Sequence, residues 1–135
     1  MYMLADAVNY MHDIGYVHFD LKPGNVLLRF EKAISGNSRM ISHVKISDFG
    51  ISMNRESKYH TNTHCWGTLL FMAPERLTQN SIFDHRIDTW ALGVILHKIL
   101  TGQYPYYDMD KEILARKIVF QKVDFSAAIW ETVSI

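Results

Sequence analysis

Hydrophobic residues recur at helical spacing in three parts of the chain. In the first part Leu4, Val8 and Met11 are three or four positions apart, and Gly15 follows where a helix would end. The second part is apolar on nearly every face, so we expect a helix that is buried all round and forms the core. The predicted helices are, in chain order, residues 2–14, 88–101 and 111–119.

The segments between the first two helices contain short β-branched runs, which predict small hairpins rather than a large sheet. These runs are Tyr16 to His18, Val26 to Leu28 and Val44 to Ile46. A polar run at 35–39 contains Gly and Asn and predicts a solvated turn. From Asp48 to Glu75 the periodicity disappears, which predicts a long surface loop. The pattern therefore indicates a mainly α fold with short β-hairpins.

The composition narrows the possible partners. The chain has 135 residues, and its 14 Lys and Arg balance its 14 Asp and Glu, which argues against a nucleic-acid partner or an anionic membrane surface. The single cysteine, Cys65, cannot form an internal disulfide, and no apolar stretch resembles a signal peptide or a membrane span. We therefore expect an intracellular protein, cytoplasmic or nuclear, whose oligomeric state the sequence does not predict.

Two polar clusters carry the candidate chemistry. The segment 18–25, His-Phe-Asp-Leu-Lys-Pro-Gly-Asn, joins an acid, a base and an amide in one loop, and Asp48 follows the apolar strand that ends at Ile46. Phosphoryl transfer needs a carboxylate to accept the proton of the attacking hydroxyl, and Asp20 is the candidate. It also needs a cation with oxygen ligands, for which Asn25 and Asp48 are a suitable pair. Lys22 is placed to contact the transferred phosphate.

These motifs resemble the eukaryotic protein kinase family, in its serine/threonine branch. The likeness rests on their order and spacing, and Cys65 to Thr68 and 130–134 are weakly similar to calmodulin-dependent kinases. It covers the chain as the C-terminal lobe, an α+β unit. The matching motifs are His18 to Asn25, Asp48-Phe49-Gly50, Gly67-Thr68, Ala73-Pro74-Glu75 and Asp88 to Gly93.

The resemblance implies a role for each matching residue. Asp20 would be the catalytic base, Lys22 a catalytic contact to phosphate, and Thr68 the hydroxyl that helps seat the substrate. Asn25 and Asp48 would bind Mg²⁺, and together with Lys22 they would bind ATP. The complete domain would transfer the γ-phosphate of ATP to serine or threonine of a protein substrate.

The same resemblance divides residues 1–135, as a partial kinase domain, into functional segments. These are the helix 2–14, the catalytic loop 18–25, the metal segment 48–50, the activation loop 51–75, the central buried helix 88–101 and the surface helix 111–119.

Two departures from the family pattern bear on function. Phe19 stands where many members have an arginine that binds an activation-loop phosphate and so orders that loop. We expect this ordering of the activation loop to be absent here or to depend on another cation. Nothing upstream of Met1 supplies the Gly-rich loop or the strand lysine, and the chain stops at Ile135, short of the family's final helices. The resemblance therefore implies a domain truncated at both ends, without the N-lobe and with negligible turnover alone. The alternative is a non-catalytic, kinase-like module that binds protein partners through residues 104–125 and 51–72.

Several residues have a structural interpretation beside the functional one. We expect His18 to be a hydrogen-bonded core histidine, and Asp88 to be either a helix N-cap or a support for the backbone of the catalytic loop. Trp130 is a predicted anchor for the end of the chain, and the aromatic residues 104–107 are predicted to pack as a loop. The possible phosphorylation sites in the activation loop are Ser57, Tyr59, Thr61 and Thr63.

Overall fold

A computed structural model describes residues 1–32, 38–54, 67–78, 84–126 and 128–133. In these ranges the chain forms three α-helices and two small antiparallel sheets of two strands each. None of the described helices has the length and apolar character needed to cross a membrane. The elements are α1 (Tyr2–Asp13), β1 (Tyr16–Val17), β2 (Val26–Lys32), β3 (Arg39–Ile46), β4 (Met53–Asn54), α2 (Arg86–Thr101) and α3 (Lys111–Phe120), with 3-10 turns at Pro23–Asn25, Leu69–Phe71, Pro74–Arg76 and Ala128–Thr132.

Helix α1 has the apolar face that the sequence predicts. Leu4, Val8 and Met11 are buried, while most of its other side chains are exposed or half-buried. The helix ends one residue before the predicted boundary, and Gly15 follows with a φ of 85°, which favours glycine because it has no Cβ. The turn at Gly15 leads directly into β1.

Helix α2 is buried on one face only, so the expectation of a helix buried all round is wrong. Ala91, Val94 and Ile95 lie in the core, whereas Ile99 is 64% exposed and Leu96 is 38% exposed. Helix α2 carries more apolar side chains than its described neighbours cover. Exposed apolar residues are common on protein surfaces. The helix ends at Gly102, whose φ is 73°.

The two sheets differ from the predicted hairpins. Strands β2 and β3 form a longer ribbon, with Val26 opposite Ile46 and Lys32 opposite Arg39, so Arg39 lies in a strand and not in the predicted turn. Strand β4 falls inside the predicted surface loop and pairs with β1. The sequence does not predict this pairing, because a strand of two residues is too short to show an alternating pattern. Its hydrogen bonds are made with β1, which is distant in the chain. Residues 35–37 of the predicted turn lie outside the described residues.

Helix α3 and the aromatic loop before it pack on the rest of the molecule. Asp110 is the N-cap of α3, and its carboxylate accepts hydrogen bonds from the N–H groups of Glu112 and Ile113. Tyr106 is buried against Trp90, with ring centroids 6.3 Å apart. The loop-packing interpretation of residues 104–107 is therefore confirmed for Tyr106, whereas Tyr107 of the same run is 59% exposed.

The hydrophobic core joins α1 to α2 and extends beneath the loop that carries the candidate chemistry. Leu21, from that loop, is 1% exposed and packs with residues of both helices. A rigid core under the loop is what holds short polar side chains in fixed positions. The buried members of this core are Leu4, Val8, Met11, Leu21, Phe71, Ala91, Val94 and Ile95.

Trp130 contacts two aromatic neighbours near the end of the chain. Its ring lies 5.2 Å from that of His97 and 4.9 Å from that of Phe125. These contacts agree with its predicted role as an anchor.

Candidate active site

His18 begins the candidate catalytic loop and is fully buried, as expected for a core histidine. Its Nδ1 accepts a hydrogen bond from the backbone N–H of Asp20 at 3.3 Å. The proton of the neutral ring therefore lies on Nε2, which donates to the carbonyl of Ser47 at 3.0 Å. His18 thus connects the loop to the segment just before Asp48.

Asp88 supports the same loop from α2. Its carboxylate accepts hydrogen bonds from the backbone N–H groups of His18 at 2.8 Å and Phe19 at 3.1 Å. It also lies 2.9 Å from Nε2 of His12. The N-cap of α2 is His85, so the N-cap interpretation of Asp88 is wrong and the supporting role is confirmed.

Phe19, the residue that departs from the family pattern, is buried and has a φ of 70°. Its carbonyl accepts a 2.7 Å hydrogen bond from Nη1 of Arg76, and the guanidinium lies 5.1 Å from the centre of its ring. Arg76 was not among the predicted site residues. A charged side chain with 2% exposure is rare, and only its position directly after Ala73-Pro74-Glu75 hints at its role.

Burial lowers the pKa of the Arg76 guanidinium, and the charges of Asp88, Asp20 and Glu75 oppose this effect. An arginine keeps its proton in such a site because its ordinary pKa is very high. The molecule therefore has a fixed positive charge beside the loop, surrounded by carboxylates.

Asp20, Lys22 and Thr68 form one hydrogen-bonded cluster. Nζ of Lys22 donates to Oδ2 of Asp20 at 2.6 Å and to Oγ1 of Thr68 at 2.9 Å. The backbone N–H of Thr68 donates to the other carboxylate oxygen of Asp20 at 2.8 Å. The fold thus brings Thr68 to two residues that precede it by more than 40 positions.

The surroundings of Asp20 favour its ionised form. Partial burial raises the pKa of this carboxyl group, but the hydrogen bonds from Lys22 and Thr68 and the charge of Lys22 outweigh it. The net result is a pKa below the ordinary value. Asp20 is therefore ionised at neutral pH and can act as an acceptor.

Asn25 and Asp48 lie at the same end of the β2–β3 ribbon. Asn25 immediately precedes β2, and its carbonyl accepts the backbone N–H of Ser47 at 2.9 Å, next to Asp48 in the chain. The side-chain amide of Asn25 donates to the carbonyl of Asp20 at 2.9 Å, which leaves its Oδ1 as a potential ligand. Asp48 is exposed and has a φ of 64°.

This donor set fits a hard cation that is also bound by phosphate. One carboxylate and one amide oxygen are ligands that Mg²⁺ accepts, with phosphate or water oxygens completing the coordination. In the part of the chain that the structure describes, no group of three or more His, Cys, Asp and Glu side chains could hold a metal ion.

Two open cavities flank this site. The larger, about 940 Å³, lies between α1 and β3 beside Phe49 and contains none of the candidate catalytic residues. The other, about 620 Å³, begins at Gly67 and Thr68 and extends to α3. Of these two cavities, the second adjoins the Asp20 cluster, through Thr68.

Part of the predicted activation loop lies outside the described residues. This part contains the possible phosphorylation sites Ser57, Tyr59, Thr61 and Thr63, as well as Cys65 and Trp66. Phosphorylation of the loop stays a prediction from the sequence.

Comparison with known proteins gives the relationship of the chain. Residues 1–134 match the protein kinase domain family. The chain is 33% identical over 129 residues to an Aurora kinase of Candida glabrata, an alignment that covers 96% of this chain and 33% of that protein. It is 32% identical over 128 residues to the serine/threonine-protein kinase PEPKR2 of Arabidopsis thaliana, covering 95% of this chain and 24% of the relative.

A further relative is the calcium/calmodulin-dependent protein kinase type 1 of Caenorhabditis elegans, with 37% identity over 131 residues, 97% of this chain and 35% of the relative. The chain thus spans 24% to 35% of the length of these relatives. These relatives belong to different kinase subgroups, so the weak likeness to calmodulin-dependent kinases stays a prediction. The chain belongs to the protein kinase domain family.

Proposed function

We propose that this chain carries the catalytic C-lobe of an ATP-dependent protein serine/threonine kinase. The observation that carries the proposal is the cluster in which Nζ of Lys22 contacts both the Asp20 carboxylate and the Thr68 hydroxyl. The cluster combines a proton acceptor, a cation for the phosphate and a hydroxyl that can neighbour a substrate hydroxyl. Membership of the protein kinase domain family supports this combination of roles.

In the proposed reaction Asp20 orients the hydroxyl of a substrate serine or threonine and accepts its proton. The hydroxyl oxygen forms a bond to the γ-phosphorus of ATP, and the bond from that phosphorus to the bridging oxygen of ADP breaks. Lys22 contacts the transferred phosphoryl group. The low pKa of Asp20 supports this assignment because the carboxylate is ionised before the hydroxyl arrives.

Asn25 and Asp48 are the residues that would hold Mg²⁺ at the phosphates. When bound, the cation neutralises charge on the phosphate oxygens. The protein contributes one carboxylate charge and one amide oxygen from the end of the β2–β3 ribbon. The hydrogen bond from the Asn25 amide to the Asp20 carbonyl supports a shared site for the cation and the base.

The cavity that opens at Thr68 is the candidate path for the substrate peptide. A peptide whose hydroxyl reaches Asp20 would continue into this cavity, whose walls are mostly apolar. We therefore infer a preference for an apolar side chain next to the phosphorylated residue. The walls include Leu69, Leu70, Met72, Leu77, Tyr107 and Leu114.

The test is phosphate transfer by the protein at its full natural length. ATP labelled at the γ-phosphate is supplied with a peptide library whose acceptors are serine, threonine or tyrosine. We expect label on serine and threonine, with apolar neighbours enriched. Asp20→Asn keeps the size of the side chain and is expected to lower kcat by at least about 100-fold.

Asp48→Asn provides a second variant, since it removes the carboxylate charge proposed to bind Mg²⁺. We expect it to raise the Mg²⁺ concentration needed for half-maximal nucleotide binding, measured by calorimetry. Label transfer by the unmodified protein no greater than by Asp20→Asn would contradict the enzymatic function. In that case the non-catalytic, kinase-like module becomes the better explanation of the site.

A further inference from the structure

Phe19 is held in a backbone conformation that bulky residues rarely adopt. Its φ of 70° lies in the left-handed region, where an L-residue with a large side chain is strained. Such a conformation persists only when the surrounding contacts maintain it. The contacts around Phe19 therefore show which groups keep this part of the loop in position.

Two side chains from separate elements hold the two peptide groups of Phe19. Asp88, on α2, accepts its N–H at 3.1 Å. Arg76, in the 3-10 turn Pro74–Arg76, donates to its carbonyl at 2.7 Å and stacks over its ring. The guanidinium is 2% exposed, so this contact is made away from water, where charge-assisted hydrogen bonds are strong.

The carbonyl held by Arg76 belongs to the peptide group that joins Phe19 to Asp20. The orientation of this peptide group determines where the Asp20 carboxylate can reach. That carboxylate accepts hydrogen bonds from Thr68 and Lys22, both at the candidate catalytic centre. A rotation of the peptide would therefore move the carboxylate away from these partners.

Gly67 packs tightly against the Phe19 carbonyl. A Cβ built on it would lie 3.1 Å from the Phe19 carbonyl oxygen, 3.4 Å from Oδ1 of Asp20 and 3.5 Å from Nη1 of Arg76. Three groups that meet at one glycine leave little room for the carbonyl to turn. The surrounding packing thus supports the hydrogen bond from Arg76.

We propose that Arg76 is a positioning residue, which holds the Asp20 carboxylate in place through the Phe19 carbonyl and uses the Phe19 ring as its platform. The catalytic consequence rests on the proposed kinase function. Phe19 occupies a position where many family members have arginine, and here a cation reaches the loop from position 76 instead. Burial lowers the pKa of this cation, and the charges of Asp88, Asp20 and Glu75 oppose that effect.

The test compares Arg76→Leu and Arg76→Lys with the unmodified protein, at full natural length. For Arg76→Leu we expect kcat to fall about 10- to 100-fold while KM for ATP changes by less than about 3-fold, because misplacing a catalytic group affects the chemical step. Arg76→Lys keeps the charge and one donor, so we expect it to recover part of kcat. Partial rescue by the conservative variant distinguishes positioning from simple filling of space.

Amide hydrogen exchange provides a readout that does not depend on catalysis. Arg76→Leu should speed exchange in a peptide covering residues 18–22 and leave a peptide covering residues 89–97 of α2 unchanged. Arg86→Leu is the matched control, since Arg86 is exposed and paired with Asp84. We expect this control to change neither kcat nor the exchange of residues 18–22.

Phe19→Leu serves as the second variant if Arg76→Leu does not fold. It removes the ring beneath the guanidinium but keeps the backbone carbonyl, and we expect a smaller loss of kcat and faster exchange of the same peptide. Unchanged exchange and unchanged kcat in both variants would overturn the proposal. An inactive unmodified protein would count against the kinase function alone, and the exchange result would then decide the role of Arg76.

Discussion

The carboxylate of Asp88 lies 2.8 Å from the backbone nitrogen of His18, although 70 positions separate the two residues in the chain. The same carboxylate also accepts the N–H of Phe19. Helix α2 is thereby tied to the loop that carries Asp20. Because Asp88 is 1% exposed, water cannot easily replace it as an acceptor.

Asp88→Ala should therefore destabilise the protein markedly. The substitution leaves two buried N–H groups without their acceptor, which we expect to lower the free energy of unfolding by about 2–4 kcal/mol. Urea denaturation followed by circular dichroism measures this change. Asp13→Ala, at an exposed carboxylate of α1, is the control and should cost less than about 1 kcal/mol. Equal losses for the two variants would show that the Asp88 hydrogen bonds contribute little.

Gly67→Ala should impair the site more than the fold. The φ of Gly67 is 104°, and its new Cβ would press on the Phe19 carbonyl at 3.1 Å. We expect phosphate transfer to fall about 10-fold or more, because the Asp20 cluster must shift to make room. Gly93→Ala is the matched control, since it lies in α2 and a Cβ there meets nothing within 4 Å.

The Gly93→Ala control carries its own expectation. Alanine in place of glycine within a helix should raise the free energy of unfolding by about 0.5–1 kcal/mol and leave phosphate transfer unchanged. Activity that survives in Gly67→Ala at the level of the control would contradict the close contact at Phe19.

Asp110→Ala should weaken α3 at its first turn. The substitution removes the acceptor for two N–H groups that have no partner inside the helix, at a cost of about 1 kcal/mol. Asp110→Ser restores an oxygen at the same position and should recover most of the loss. Thermal unfolding of the three proteins measures the difference. A melting temperature for Asp110→Ala equal to that of the unmodified protein would contradict the capping role.

Asp84 should make the stability of the protein depend on pH in the acid range. The hydrogen bond from Arg86 is the main reason that the pKa of Asp84 falls from 3.8 to about 2. Because the folded-state pKa is the lower one, the stabilising effect is fully present above pH 3.8 and is lost as pH falls towards about 2. Arg86 is exposed and Asp84 is half-buried, so water screens the pair, and the effect is modest and decreases with salt.

The measurement is the difference in unfolding free energy between the unmodified protein and Asp84→Asn at several pH values. We expect the difference to shrink steadily as pH falls through the interval given by the two pKa values. Arg86→Leu should remove the same dependence by removing the partner. A difference that is constant across the interval would exclude the ion pair as its source.

The sequence predicted the helices well because their signals are local. Periodic apolar residues gave α1 and α3 to within one residue at each end, and Gly102 marked the end of α2. The burial of α2 was overestimated, since composition reports how apolar a helix is and not how much of its surface has neighbours. Strand β4 was missed because a two-residue strand is defined by its partner β1.

The sequence likewise predicted only some of the residues of the candidate site. Asp20, Lys22 and Asn25 lie within six consecutive positions, so residue type and spacing were enough to propose them together. Thr68 was added only through the resemblance to kinases, and Arg76 was not proposed at all. A lone arginine after a proline turn is expected to be solvated, and only its position directly after Ala73-Pro74-Glu75 hints at its role.

The chain's own sequence determined its family, its helices and the chemical groups available for the proposed phosphate transfer, because each of these follows from residue type and short-range spacing. The tertiary structure alone decided that Arg76 supports Phe19, that Asp88 binds the loop rather than capping a helix, and that Thr68 meets Asp20 and Lys22. These contacts join residues 46 to 70 positions apart. Their energy comes from hydrogen bonds and burial that exist only once the core has brought the segments together.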